Sequence, residues 1–479
     1  MEALQLKDET QTTQKRNILF ASSEMSPYAK TGGLGDVLAA LPAALRERGH
    51  GVSVVIPYYR KLNQTLPQLK RSNVSFEITL GAEKHRADVW MARSRQGVII
   101  WAIGNAFFDR DELYGEGSDY PDNARRFIFF SKAVLKLARY IQPLPDVLHL
   151  NDWQTAMVAV FNRAESLPFR TVLTIHNLAY QGDFPAREFQ WTNLPDAYFS
   201  AHACEFWGRF NFLKAGLLLA DEISTVSPGY ADEILTSQFG CGLQEVIAAR
   251  RDNLNGIVNG IDMDLWDPSK DPHLPENFQA GQLHGKEICK IELLRERSLS
   301  PDPSPPLYGC ISRLADQKGF DLLLATLPTM LQSNARAVIL GSGDPHLEEE
   351  LLQLEKLFPH QLSVEIGFDE ALAHRIEAGS DFFLMPSKFE PCGLNQMYSQ
   401  RYGTVPIVHK VGGLGDTVDP WAVSKSGFFR GEGNGFLFDQ FNPESLWSTV
   451  KKAESLRSLS PFRSIEFGSR TDESISVIP

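Results

Sequence analysis

Short apolar runs, each followed by a loop and a segment of helical period, recur along this chain in two sets, and that alternation restricts it to parallel α/β sheets. The first set opens with Asn17-Ile-Leu-Phe-Ala-Ser-Ser23, which reads as a buried parallel strand. The loop Lys30-Thr-Gly-Gly-Leu-Gly-Asp36 comes next. Residues 37–48 carry helical spacing of apolar positions, Gly49 suits the C-cap, and residues 52–56 form the following strand. Residues 147–150, a helix from about Trp153, and residues 171–175 repeat the unit. The stretch Pro301-Asp-Pro-Ser-Pro-Pro306 cannot sit inside a helix and reads as a linker or an edge. Beyond it the pattern restarts, with strands expected at 307–311, 337–340, 363–366, 382–385 and 405–408. The expectation is an α/β chain of two Rossmann-like, doubly wound domains, at 17–255 and 256–452. Residues 1–16 are expected to form a disordered extension, and residues 453–479 a polar tail without helical periodicity.

One internal echo sharpens this reading. Lys30-Thr-Gly-Gly-Leu-Gly-Asp36 returns as Lys410-Val-Gly-Gly-Leu-Gly-Asp416, with one position changed. Glycines between a strand and a helix let backbone N–H groups approach an anion, and the helix N-terminus adds partial positive charge. Neither loop is a G-x-G-x-x-G or a P-loop, so a plain tight turn is the alternative. Lys30 could neutralise a diphosphate, although a solvated lysine is common.

Other candidates lie where strands end, the edge at which open α/β sheets bind ligands. Arg313 and Lys318, in Ser312-Arg-Leu-Ala-Asp-Gln-Lys-Gly-Phe320, offer two cations suited to a pyrophosphate; surface ion pairs are the plain alternative. Glu390 follows the strand at 382–385, where a helix-start carboxylate favoured by the dipole is the commoner role. His176 and Asn177 follow the strand at 171–175, and Asp152 and Trp153 that at 147–150. Tyr180 and Trp207 could offer aromatic faces to sugars, although isolated aromatics usually belong to a core. Asp262-Met-Asp264 matches D-x-D, a spacing frequent by chance, and no metal is assigned to it.

Composition narrows the function classes. The 479 residues suit two large domains, with 43% hydrophobic and 22% charged residues. A net charge of −12 argues against a nonspecific nucleic-acid binder. The five cysteines are scattered without a C-x-x-C pair, which fits a reducing cytosol and neither zinc nor redox work. Residues 1–16 lack a signal or transit pattern, and no run of about 20 apolar residues could cross a membrane. A cytoplasmic protein without membrane or nucleic-acid partners is expected.

Taken together, Lys30-Thr-Gly-Gly-Leu34, the His176 segment, Asn259-Gly-Ile-Asp262, the Arg313 to Lys318 segment and Phe389-Glu-Pro-Cys-Gly-Leu394 stand in the order of one family. From about Asn17 to about Leu446 the chain resembles the bacterial glycogen synthases and plant starch synthases. That resemblance implies a GT-B fold, two Rossmann-like domains facing a deep inter-domain cleft. It implies retaining transfer of glucose from ADP-glucose to the non-reducing end of an α-1,4-glucan, without a metal or other cofactor. Lys30, Gly32 and Gly33 would then lie near the donor phosphates and sugar, and Arg313 and Lys318 would bind the diphosphate. Glu390 would contact the donor glucose, and His176 would stand beside the anomeric carbon. Gly393 and Leu394 would present amides to the distal phosphate. Asp36, Asn259, Cys392 and Gly413 complete the implied donor side, and Asp152, Trp153, Asn177 and Tyr180 the acceptor side.

The chain departs from the family pattern at Asn395 and Val411, where threonine is common, and in lacking an aromatic-bearing helical segment at its C-terminus. The rival expectation is a truncated, catalytically impaired relative that binds sugar nucleotide or glucan.

Overall fold

The computed structural model describes residues 14–423, 429–430 and 433–459. These divide into two compact units, one running to Thr174 and including Tyr180–Glu222, the other comprising Ile175–Ala179 and the chain from Ile223 onward.

In the first unit, β1 (Asn17–Ala21), β2 (Gly51–Pro57), β3 (Lys70–Leu80), β4 (Glu83–Arg93), β5 (Ile99–Gly104), β6 (Val147–Asn151) and β7 (Arg170–Ile175) lie in the order β7-β6-β1-β2-β5-β4-β3. The expected strands are parallel, whereas β3, β4 and β5 form an antiparallel meander that the sequence reading did not anticipate. The residues of β3 alternate between exposed and more buried, so its apolar signal is diluted to every second position. The chain runs one way from β1 to β2 and returns on the other side at β6, so the switch point lies between the ends of β1 and β6. The helix Gly33–Glu47 begins four residues before the expected start at 37, because the glycine loop supplies its first turn. Gly49, at φ +90°, closes it as expected. A small antiparallel sheet, ordered β8-β10-β9, joins β8 (Asp183–Pro185), β9 (Glu205–Phe206) and β10 (Arg209–Asn211). The core gathers Phe20, Phe127, Phe129, Phe130 and Phe212, all fully buried.

In the second unit, β11 (Glu222–Thr225) and β12 (Leu254–Gly256) pair in parallel. A six-stranded sheet uses β13 (Leu307–Ile311), β14 (Arg336–Gly341), β15 (Leu362–Ile366), β16 (Phe382–Met385) and β17 (Val405–His409). The pair β18 (Ala422–Val423) and β19 (Phe429–Arg430) precedes its last strand, β20 (Phe436–Phe438). The order β15-β14-β13-β16-β17-β20 is the Rossmann sequence 3-2-1-4-5-6, and it sets a switch point between β13 and β16.

The two compact units divide between Glu222 and Ile223, ahead of the boundary expected at 255/256. Side chains and amides between 227 and 233 bind the later chain: Ser227 Oγ donates to Pro391 O at 2.8 Å, and Gly229 N to Asp416 Oδ2 at 2.7 Å. At the other end the helix Pro443–Leu459 passes the boundary expected at 452, and residues 460–479 of the expected tail lie outside the described residues. Of the expected extension, residues 1–13 lie outside them, while Arg16 is held by Gly51, whose amide donates to its carbonyl at 2.9 Å.

Candidate functional site

At the first switch point the chain leaves β1 through Ser22-Ser23-Glu24. Glu24 is 4% exposed and takes hydrogen bonds from Thr31 N and Oγ1 at 2.7 Å each, Gly32 N at 3.1 Å and the Tyr114 hydroxyl at 2.7 Å. This buried carboxylate folds the Lys30–Gly33 loop back on itself. The Gly32 amide is therefore engaged with protein; the helix beginning at Gly33 supplies the N-terminal positive end there. Lys30 Nζ pairs with Asp36 at 2.7 Å, so the two candidates meet where the loop enters the helix.

Asp152 begins the helix after β6 and adopts φ +56°, a left-handed backbone uncommon for a residue with a side chain. Trp153 beside it is 8% exposed, its ring against Phe127 at 4.9 Å, Phe184 at 5.6 Å and Phe212 at 6.1 Å. That packing makes it a core residue, its ring set among other aromatics, at a position the resemblance assigns to the acceptor side. Tyr180 is 51% exposed. His176 and Asn177 fall in the short turn that clusters with the second unit, and His176 is half-buried. The turn is fixed by Leu178 N, which donates to the Tyr230 hydroxyl at 3.0 Å, and by Asn177 Oδ1, which accepts from Ala179 N at 3.0 Å.

The second switch point carries the densest chemistry. Lys318 Nζ lies 2.6 Å from Glu390 Oε2, and Ser387 Oγ donates to the same oxygen at 3.0 Å. The pair comes from the loops after β13 and β16, which are zipped together: Lys388 N donates to Gln317 O at 2.9 Å, and Gln317 Nε2 to Phe389 O at 3.3 Å. Gly319 makes this approach possible. Its φ is +70°, and a Cβ there would fall 1.9 Å from the Pro386 carbonyl. Arg313 is exposed on the same loop. Lys388 is tied to Asp321 at 3.2 Å and to Asp316, which raise its pKa and leave little charge for a ligand.

Behind Glu390 the chain turns through Cys392, Gly393 and Leu394. The Cys392 thiol is pushed up to about 12 by burial and hydrogen-bonds with Asn259, so these two candidates meet. Gly393, at φ +73°, leads through Leu394 into the helix Asn395–Arg401. Asn395 Nδ2 donates to Ile311 O at 2.7 Å, so this side chain ties the helix to β13.

The second glycine loop proves to be a support. Gly413 N donates to Glu390 O at 3.1 Å, and a Cβ on Gly412 would fall 2.2 Å from that carbonyl. Gly413 therefore props the Glu390 loop rather than presenting its amide to a ligand. Gly412 N is capped by Glu233 Oε1 at 2.7 Å, as Gly32 N is by Glu24. The internal echo extends from sequence to hydrogen bonding. Asp262 also turns out to be structural, accepting from Asp264 N at 2.9 Å and Leu265 N at 3.1 Å.

Comparison with known proteins places the chain in a family. Residues 17–249 match the family described as starch synthase catalytic domain, and residues 293–463 match glycosyl transferases group 1. The glycogen synthase of Anaeromyxobacter dehalogenans (strain 2CP-C) is 46% identical over 443 residues, 91% of each chain. That of Myxococcus xanthus (strain DK1622) is 44% identical over 463 residues, 95% of this chain and 94% of the other. The chain belongs to the glycogen and starch synthase family.

Its fold is GT-B. The catalytic domain of starch synthase IV from Arabidopsis thaliana, solved bound to ADP and acarbose, superposes with a TM-score of 0.83 at 32% identity, covering 97% of this chain and 99% of that one. Sucrose-phosphate synthase from Thermosynechococcus elongatus, at 15% identity and a TM-score of 0.58, shares the fold. This synthase-family chain is thus a glucosyltransferase of glycogen or starch synthesis, acting on a sugar nucleotide and a glucan. No helix among its described residues is long and apolar enough to cross a membrane.

Several supporting residues of the synthase site escaped the sequence reading. Glu24 stands directly after β1, at the edge already singled out, and its position alone could have marked it. Tyr114 and Glu233 carry no such signal, because their partners are 90 and 179 residues away.

Proposed function

We propose that this synthase moves glucose from ADP-glucose to the non-reducing end of an α-1,4-glucan with retention of configuration. The observation that carries the reading is the Lys318–Glu390 pair at the β13/β16 switch point, the place where a Rossmann sheet receives a nucleotide. Glucosyl transfer builds positive charge on the sugar ring and negative charge on the departing diphosphate. Lys318 and Arg313 stabilise that diphosphate, aided by the amides of Gly393 and Leu394. Glu390 accepts hydrogen bonds from the donor glucose while its pairing with Lys318 holds both groups in register. Fixed cations of this kind are worth on the order of 3 kcal/mol each in a water-excluded site.

On the first unit, Lys30 and the helix N-terminus at Gly33 attend the donor, and Asp152 and Tyr180 the acceptor. His176 lies beside the anomeric carbon. Departure and attack on the same face of the sugar account for retention without a second carboxylate as nucleophile, unlike the glycosidase pair. The reaction needs no resident metal, because protein cations take the charge of the leaving group. We assign the enzyme to the cytoplasm, in keeping with its scattered cysteines, which form no disulfide among the described residues.

Initial rates with ADP-glucose and UDP-glucose, on glycogen and in parallel with Glu390→Ala, test this reading. A preference for ADP-glucose and loss of transfer in the variant are expected. Equal or better use of UDP-glucose would overturn the donor assignment, and an active variant would overturn the role of Glu390.

A further inference from the structure

The most exposed large apolar side chain of the described residues is Trp207, at 86%. It occupies a position where a tryptophan helps neither local conformation nor packing. Phe206 pairs with Arg209 across a two-residue hairpin loop, and the loop residues Trp207 and Gly208 have φ +51° and +77°. Two successive positive φ values define the tight hairpin turn that calls for Asn, Asp or Gly ahead of glycine. A bulky side chain there carries backbone strain, and its indole stays in water with one neighbouring ring, Phe206, at 6.1 Å.

The base of the hairpin is fixed. Gly208 N donates to Glu205 Oε1 at 2.7 Å, and Arg209 pairs with Asp183. The buried Lys214 ammonium donates to the carbonyls of Glu205 at 2.6 Å, Ala203 at 3.3 Å and Ala201. A solvent-facing indole on a fixed hairpin offers a flat face to the C–H side of a sugar ring, with little backbone ordering left to be done on binding. Its place fits a polymer. Trp207 stands four residues, roughly 13 Å of extended strand, from Asn211, whose amide holds Gln181 beside Tyr180 at 2.9 Å.

We propose that Trp207 is a carbohydrate platform that stacks on a glucose unit of the α-1,4-glucan, away from the end being extended. This rests on the reading of the acceptor as a glucan. The platform raises affinity for long chains and leaves the chemical step untouched.

The test is migration of the native protein and Trp207→Asn through gels with and without glycogen, paired with initial rates on glycogen and on maltotriose. Asparagine suits the turn, so the hairpin is kept while the indole is lost. The expected result is a glycogen affinity weakened about tenfold, equivalent to ~1.4 kcal/mol. The KM for glycogen rises in step, while kcat, the maltotriose rates and the KM for ADP-glucose hold. A Trp207→Tyr variant should stay closer to the native protein. Unchanged retardation in Trp207→Asn would overturn the platform and leave the glucan reading intact. So would a native protein that transfers glucose to glycogen but is not retarded by it. A native protein that neither binds nor extends glycogen would overturn the glucan reading and the platform with it.

Discussion

Replacing Lys318 by alanine separates the two consequences of one ion pair. The ammonium lies 2.6 Å from Glu390, with side-chain exposures of 20% and 8%. Breaking a fully buried pair from one side costs about 3–5 kcal/mol, because the remaining charge loses its counterion. The partial exposure of Lys318 and the Ser387 hydroxyl, which stays on Glu390, lower that to ~2–3 kcal/mol. The catalytic loss is larger in effect, about 100- to 1000-fold in kcat for one preorganised charge on the leaving group. Urea unfolding and initial rates with labelled ADP-glucose measure the two separately. Adding Glu390→Gln to Lys318→Ala removes the orphaned charge, so the double variant regains stability while remaining inactive. Turnover within a few-fold of the native enzyme would refute the role of Lys318 at the diphosphate. Strictly additive stabilities of the two variants would refute the buried pair as the source of the penalty.

Two further perturbations test the surroundings. Gly319→Ala places a Cβ against the Pro386 carbonyl at positive φ, so it should cost at least ~2 kcal/mol and raise the KM for the donor by displacing Lys318; a variant with native melting and kinetics would contradict the loop geometry. Glu377 is fully buried and its carboxyl is pushed up to about 8, from an ordinary 4.5, by loss of solvation. Between those values the unfolded chain loses its proton first. Stability from this group is therefore present below about pH 4.5 and falls by as much as ~1.4 kcal/mol per unit toward pH 8. Glu377→Gln should flatten that part of the stability–pH profile, and an unaltered slope would refute the assignment.

What the sequence made legible were the fully buried elements. β13 and β16 begin and end where the sequence reading puts them, because a strand covered on both faces is a continuous apolar run with sharp polar ends. The half-wet β3 and β4 were missed for the converse reason. The candidate residues at strand ends were legible as positions, since the chain order within a Rossmann sheet fixes which edge binds ligand. Their partnerships were not. Lys318 and Glu390 are 72 residues apart, and only the crossing of two loops at the switch point makes them one site. The two glycine loops look alike in sequence, but which amides are left for a ligand depends on Glu24 and Glu233, and the sequence singles out neither carboxylate. Trp153 is assigned to the acceptor side by the resemblance alone, because a tryptophan after a strand looks the same in sequence whether its ring faces solvent or Phe127.

The account stands most directly on where the new glucose is attached. The enzyme, ADP-glucose labelled in the sugar and a maltooligosaccharide primer should yield a longer chain whose label β-amylase releases as maltose from the non-reducing end. That result is predicted by an α-1,4-extending, retaining synthase. Incorporated label that resists β-amylase, or a folded enzyme that incorporates none, would contradict it.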